Sequence, residues 1–343
     1  MSPKNFLHKL LHWEYWPFGV VYFSVFCYHC WLSLKVRSFF FFTASNPSIE
    51  TGGMLGESKS AILEKVPEPF RADFFSIESG TSHQQLLVLF EKSGFTFPVI
   101  AKPDVGERGN GVAKINGLDE LSEFLSKTKA KYIVQKYIDF PVELGVFYYR
   151  FPNAEKGVVS SIVQKEFLQV IGNGKYTLKE LIEHYPRARF VKEYLFKKFH
   201  EKLDVIVPQN EKIELEGIGN HVRGTMFLDA CHLINPQLTE VFDSISKQID
   251  GFYYGRYDLR CKSIEDLYQG KNIQIVELNG CGAEPAHIYQ PGFSFWRGQK
   301  VLLQHHKIMF EISLANHKNG IPFASFWAIK QAYRKYKQDI ENI

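Results

Sequence analysis

The chain has little net charge. Its 41 lysines and arginines against 37 aspartates and glutamates leave +4 over 343 residues, too mild a balance for a surface that grips nucleic acid. Cysteine is scarce: five, at 27, 30, 231, 261 and 281, an odd number at irregular spacing that argues against a disulfide framework. Cys27 and Cys30 make one C-x-x-C pair, but no second pair follows and the run around them is aromatic and apolar. They read as buried or membrane-facing thiols without redox chemistry. A Walker A loop is missing, because Gly52 to Lys59 (GGMLGESK) lacks the GK[ST] ending, and no good G-x-G-x-x-G fingerprint is formed. Internal repeats and low-complexity tracts are absent. With 45% hydrophobic and 23% charged residues, the chain can build a sizeable core over two or three lobes.

Charged side chains are missing altogether from Pro17 to Leu34. As a helix those 18 residues would reach about 27 Å, close to the thickness of a bilayer core. Gly19, Ser24, His29 and Ser33 weigh against a span, while Trp13 and Trp16 resemble an interfacial belt. No small-residue cleavage site follows, which disfavours a signal peptide. Three placements stay open for residues 17–34: docked on the protein or a partner, lying on a membrane, or crossing it, with residues 10–37 as the stretch through which a membrane would be met. The expected location is cytoplasmic, with the inner face of the membrane as the lipid surface within reach.

What is present is a succession of short strands and amphipathic helices. Ser38 to Thr43 (SFFFFT) reads as a buried strand. Residues 46–59 form a turn-rich loop and Ser60 to Val66 a short helix, followed by a helix over Ser82 to Ser93. Pro98 to Lys102 is a strand, Asp104 to Gly111 (DVGERGNG) a glycine loop, and Val112 to Ile115 the return strand. A helix over Leu118 to Ser126 and strands over Tyr132 to Tyr137 and Glu143 to Arg150 complete an α+β lobe around an antiparallel sheet. Further on, Leu178 to His184, Phe190 to Glu201 and Asn235 to Gly251 read as helices, the last capped by Asn235 with Pro236 in its first turn. Arg256 to Cys261 and Ile273 to Leu278 read as paired strands, and Trp296 to Asn316 and Phe323 to Ile343 as closing helices.

The chemistry concentrates in these strands. Lys102 ends an apolar strand just before a loop whose Gly106, Gly109 and Gly111 allow close approach to a phosphate; an ordinary hairpin with a terminal lysine is the alternative. Asp258 lies on one strand, and Glu277 and Asn279 lie two apart on another, so both point to one face. If the strands pair, three oxygen donors converge, a set suited to Mg²⁺. Arg256 faces the same side and could steady charge on a transferred phosphoryl group, or serve as the ion-pair partner of Asp258 or Glu277.

Taken in order, these motifs resemble the ATP-grasp superfamily, and within it carboxylate–amine ligases similar to D-alanine–D-alanine ligase. Residues 97–112 (FPVIAKPDVGERGNGV) look like the lysine strand and small phosphate loop. Residues 133–138 (IVQKYI) with Glu143 look like the adenine hinge and the ribose-binding glutamate. Residues 171–182 (IGNGKYTLKELI) look like a segment of the amide-forming ligases, and 255–258 (GRYD) and 276–279 (VELN) like the arginine and metal-ligand strands. The resemblance covers residues 55–300. It implies two α/β lobes clamping ATP, with two Mg²⁺ ions, replaceable by Mn²⁺, and an acyl-phosphate intermediate. Small-molecule carboxylate and amine (or thiol) substrates are implied, and no nucleic acid.

It implies roles position by position. Lys59 and Lys102 would contact phosphate, with Lys165 as a further contact. Gly109, Gly111 and Val112 would cover the phosphates. Lys136, Tyr137 and Ile138 would line the adenine pocket beside Gln135, which stands where the family often has an acidic residue. Glu143 would take the ribose hydroxyls and Arg256 would steady the transition state. Asp258, Glu277 and Asn279 would hold the metal, Glu277 bridging both ions. Residues 1–37 would form an aromatic helical segment, 38–95 a reduced preceding region, 96–300 the ATP-grasp domain and 301–343 the C-terminal helices. After Asn279 the sequence departs from the D-alanine pattern, and Glu284 and His287 are either amine or proton-transfer contacts or structural. Two other readings remain: a phosphotransferase acting on a small or membrane-associated acceptor with the same lysines and metal, and a non-catalytic nucleotide-binding or membrane-scaffold protein.

Overall fold

A computed structural model describes residues 10, 12–107, 109–185, 187–216 and 225–343. Residues 1–9 and 11 of the aromatic segment and Arg108 of the glycine loop lie outside the described residues. The chain divides into two compact units, one made of Met1–Gln164 with Asp229–Ile343, the other of Lys165–Leu228. The class is α+β with antiparallel strand pairing, as expected.

In the first unit, β1 (Phe74–Ile77), β2 (Val99–Pro103), β3 (Ala113–Ile115) and β4 (Tyr132–Lys136) form a sheet in the order β1-β4-β2-β3. Val99 and Ala101 alternate along β2 and pack against Leu86 and Phe90 of the helix His83–Ser93 and Leu121 of the helix Leu118–Ser126. Lys102, the residue after Ala101, is thereby directed to the opposite face. The helix His83–Ser93 starts on a capping box between Ser82 and Gln85 and stops at Gly94 in the left-handed region.

After β5 (Val142–Tyr149) and β6 (Val158–Glu166), the chain makes β7 (Leu168–Ile171), β8 (Lys212–Glu216) and β9 (Met226–Asp229). With β10 (Tyr254–Cys261) and β11 (Ile273–Asn279), the second sheet of the first unit runs β11-β10-β5-β6. One face buries Leu144, Val146, Tyr257, Leu259 and Leu278 against Leu238, Phe242 and Ile245 of the helix Pro236–Lys247. Fully burying each such side chain contributes about 1.5–3 kcal/mol. As expected, Asn235 caps that helix on the N–H of Leu238 and Pro236 opens it. The other unit is a ribbon of β7 and β8 with helices Leu178–His184 and Lys192–Lys198 around Leu168, Ile182, Leu195 and Leu215. Its second helix is shorter than the expected 190–201: residues 188–191 form a 3₁₀ turn instead, and the helix ends at Lys198 with Phe199 as its C-cap.

The N-terminal segment forms helices Phe18–Val21 and Phe23–Val36. Val25, His29, Leu32 and Ser33 make the inner stripe of the longer one. No helix among the described residues is long and apolar enough to cross a membrane. The expected strand at 38–43 does not form. A 3₁₀ helix spans Phe41–Ser45 instead. A strand would send Phe41 and Phe42 to opposite faces, whereas the tight turn inserts both into one cluster with Leu32 and Phe310. Asn46 follows, fully buried. Its side-chain amide donates to the carbonyls of Gly52 (2.9 Å) and Tyr254 (2.8 Å) and its oxygen accepts from the N–H groups of Tyr253 (2.9 Å) and Tyr254 (3.0 Å). One side chain thus ties the turn-rich loop to the start of β10.

Candidate active site

The polar face of the second sheet carries the site. In the antiparallel register of β10 and β11, Arg256 stands opposite Asn279 and Asp258 opposite Glu277, so the expected pairing of these strands holds and four polar side chains share one face. Arg256 grips Asp258 with a fork, Nε to Oδ1 at 2.8 Å and Nη2 to Oδ2 at 3.0 Å, and its Nη1 donates to the Glu284 carbonyl at 3.1 Å. The Asn279 amide approaches Asp258 Oδ2 at 3.4 Å. Burial works against the charge of Arg256, but Asp258, with Glu277 and Glu284, holds its pKa above the ordinary value. Space for the fork comes from Gly145 on β5, the register partner of Asp258. A Cβ at 145 would lie 2.8 Å from Val163 Cγ1, 3.0 Å from Asp258 Oδ1 and 3.2 Å from Arg256 Cδ.

Two lysines approach the same place, Lys102 from the first sheet and Lys59 from the first turn of the short helix Lys59–Leu63. Lys102, buried, donates to the carbonyl of Val276 at 2.8 Å, next to Glu277. Gln135 on β4 reaches the same carbonyl at 3.3 Å. Lys59 Nζ lies 3.8 Å from Glu277 Oε1 and donates to the Gly106 carbonyl in the glycine loop. Asp104 fixes Lys59 in place: its carboxylate accepts from Ser58 Oγ and from the N–H of Ser60, each at 2.8 Å, and its carbonyl accepts from the N–H of Lys59, also at 2.8 Å. Glu57, beside Lys59 and Glu277, has its carboxyl pushed above the usual range by burial.

Glu143 and Ile138 meet around Arg260, which contacts Glu143 Oε2 through Nε (3.0 Å) and Nη2 (2.9 Å) and donates to the Ile138 carbonyl at 3.0 Å. Tyr137 carries Lys114 Nζ over its ring at 3.9 Å; Lys136 ends β4, exposed. Gly109 and Gly111 both have positive φ in the turn before β3, with Val112 following. Lys165 falls in the other unit. The structure therefore brings Lys59, Lys102, Gln135, Arg256, Asp258, Glu277 and Asn279 together. Asp104 and Glu57 belong with them, while Arg260 pairs with Glu143 and Ile138; of these three, only Asp104 carries a signal in the sequence, its position directly after Lys102-Pro103.

A further wall is built from the N-terminal segment. The Tyr22 hydroxyl donates to Glu284 Oε1, and burial, followed by Glu284, raises the pKa of Tyr22. Nearby, His287 Nδ1 and Ser161 Oγ share a hydrogen bond at 2.6 Å, and burial lowers the pKa of His287.

The donor set Asp258, Glu277 and Asn279 consists of hard oxygens without sulfur or imidazole, which fits Mg²⁺ or Mn²⁺. It comprises two carboxylates and an amide. No cluster of three or more His, Cys, Asp or Glu residues suited to a metal ion occurs among the described residues.

Residues 58–145 match the model of the tubulin–tyrosine ligase family, an ATP-grasp-like family. The match holds Lys59, Lys102, Gln135 and Glu143 but is a minority of the chain. No curated protein matches the chain in sequence. Among solved structures, the chain is similar to D-alanine–D-alanine ligase from Bacillus anthracis, at 14% identity and a TM-score of 0.43, over 77% of this chain and 68% of that one. A bifunctional glutathione synthetase from Pasteurella multocida gives 15% identity and a TM-score of 0.37, over 72% of this chain and 36% of that one. The D-Ala:D-Ser ligase from Enterococcus faecalis gives 12% and 0.41, over 75% and 63%. The chain thus spans only about a third of the length of that synthetase.

Proposed function

We propose that the chain is an ATP-grasp enzyme, an ATP-dependent ligase that joins a carboxylate to an amine through an acyl phosphate, with Mg²⁺. The observation that carries this reading is the meeting of three cations, Lys59, Lys102 and Arg256, with three hard oxygen donors, Asp258, Glu277 and Asn279, on and beside one sheet face. Cations for phosphate oxygens and oxygen ligands for a divalent ion are what phosphoryl transfer requires. The similarity of residues 58–145 to a ligase family supports it.

When bound, Mg²⁺ would neutralise charge on the phosphates, held by Asp258, Glu277 and Asn279. Lys59 and Lys102 would orient the phosphates, and the loop bearing Gly109 and Gly111 would cover them and keep water out. A carboxylate oxygen of the substrate attacks the γ-phosphorus, the bond to the bridging oxygen breaks, and ADP leaves. The amine nitrogen then attacks the acyl carbon, the C–O bond to phosphate breaks, and the nitrogen gives up its proton. Arg256 would stabilise the charge that develops in both steps.

The test is ADP and phosphate release from Mg·ATP against amino acids, dipeptides and polyamines, with mass spectrometry of the products. Acceptor-dependent release with a condensed product is expected. Phosphate retained on the acceptor would replace this reading with phosphotransfer.

A further inference from the structure

The helix Phe23–Val36 is apolar on both sides. Its inner stripe, Val25, His29, Leu32 and Ser33, is buried. The opposite stripe is Phe23, Phe26, Trp31 and Leu34, with exposures of 67%, 56%, 49% and 79%. Spaced three, five and three residues apart, these positions fall on one broad side of the helix. Phe18 and Val20 of the preceding short helix are exposed as well. A continuous aromatic and aliphatic stripe of this kind marks a surface that something covers.

The chemistry around the stripe says what covers it. From Pro17 to Ile49 there is no aspartate or glutamate. The cations present sit at the C-terminal end of the stripe: Lys35 Nζ lies 3.5 Å from the centroid of the Trp31 ring, and Arg37 follows as the C-cap, exposed. The helix Phe295–Lys318 packs against this one, with His29 Nδ1 and His306 Nε2 3.1 Å apart. Its first turns carry Trp296, 78% exposed, and the exposed Arg297 and Lys300. Tryptophan and phenylalanine flanked by lysine and arginine match the headgroup zone of a bilayer, where rings enter the acyl boundary and cations meet lipid phosphates. A helix of 14 residues is too short to span and lies in the plane of the interface. We infer that the outward face of residues 18–37 seats the protein on an anionic lipid surface.

The inference stands independently of the ligase reading. It is tested by sedimenting the full chain with vesicles of phosphatidylcholine alone or mixed with phosphatidylglycerol. Binding to the mixed vesicles is expected, weakening as salt is raised. The triple variant Phe23→Ser, Phe26→Ser, Leu34→Ser should lower vesicle affinity by at least about tenfold with an unchanged far-UV circular dichroism spectrum. A second variant, Lys35→Glu with Arg37→Glu, leaves the apolar stripe intact and should lose the preference for anionic vesicles. Wild-type protein that stays in the supernatant with both vesicle types would overturn the inference. So would undiminished binding by both variants. So would a dimer, formed without lipid and abolished by the triple variant, which would assign the face to a second copy of the chain.

Discussion

At the residue scale, the site divides between groups that are locked and a group with a looser partner. Both carboxylate oxygens of Asp258 are engaged by the Arg256 fork, whereas Glu277 faces Lys59 at 3.8 Å. Glu277→Ala is therefore expected to lower turnover at least about 100-fold while leaving the fold intact. Turnover measured beside a thermal melt checks this, and equal activity would overturn the metal assignment. Gly145→Ala places a methyl group against Val163 and the Asp258–Arg256 pair. It should destabilise the protein by about 1–3 kcal/mol, read from urea denaturation. Much of this face was legible in the sequence, because the two-residue spacings 256/258 and 277/279 put side chains on one side of a strand. The Glu143–Arg260 pair was not, because it depends on the register of β5 against β10, which joins positions far apart in the chain.

At the scale of elements, legibility followed local signals. The helices with caps start close to where the sequence places them, since Ser82, Thr177 and Asn235 mark those starts with side-chain hydrogen bonds, whereas the helix expected to run to Gly251 ends at Lys247. β1 went unread because four residues give too little alternation to recognise, and it forms by pairing with β4. The run at 38–43 misled because consecutive buried phenylalanines fit a tight turn as well as a strand. Removing residues 1–37 is expected to yield a poorly soluble protein, since it strips Leu32 from the cluster containing Phe41, Ile308 and Ile312. Comparing the soluble fractions of full and truncated chains checks this. A soluble, active truncation would mark the segment as a dispensable attachment.

At the scale of the whole molecule, four inward-facing histidines couple stability to acidity. Burial holds His305 and His306 down at about 4, and lowers His29 and His287 as well. Unfolded, each returns to about 6.5. Between those values the unfolded chain binds more protons than the native one, so the stabilisation is complete above about pH 6.5 and falls as pH drops towards 4. The melting temperature should fall by about 5 °C or more from pH 7 to pH 5. His306→Gln should flatten that slope, measured by thermal melts across the interval.

The Asn46 amide has a consequence on a longer timescale. All its hydrogen-bonding positions are used, and two of them require an NH₂ group that an aspartate does not have. Conversion to the acid would therefore put a carboxylate against two carbonyls in a fully buried site. The usual route to that conversion needs attack by the next backbone nitrogen on the side-chain carbonyl. In this chain that nitrogen belongs to Pro47, which has no hydrogen to lose. The clamp between loop and strand is thereby protected from chemical ageing by its neighbour in the sequence.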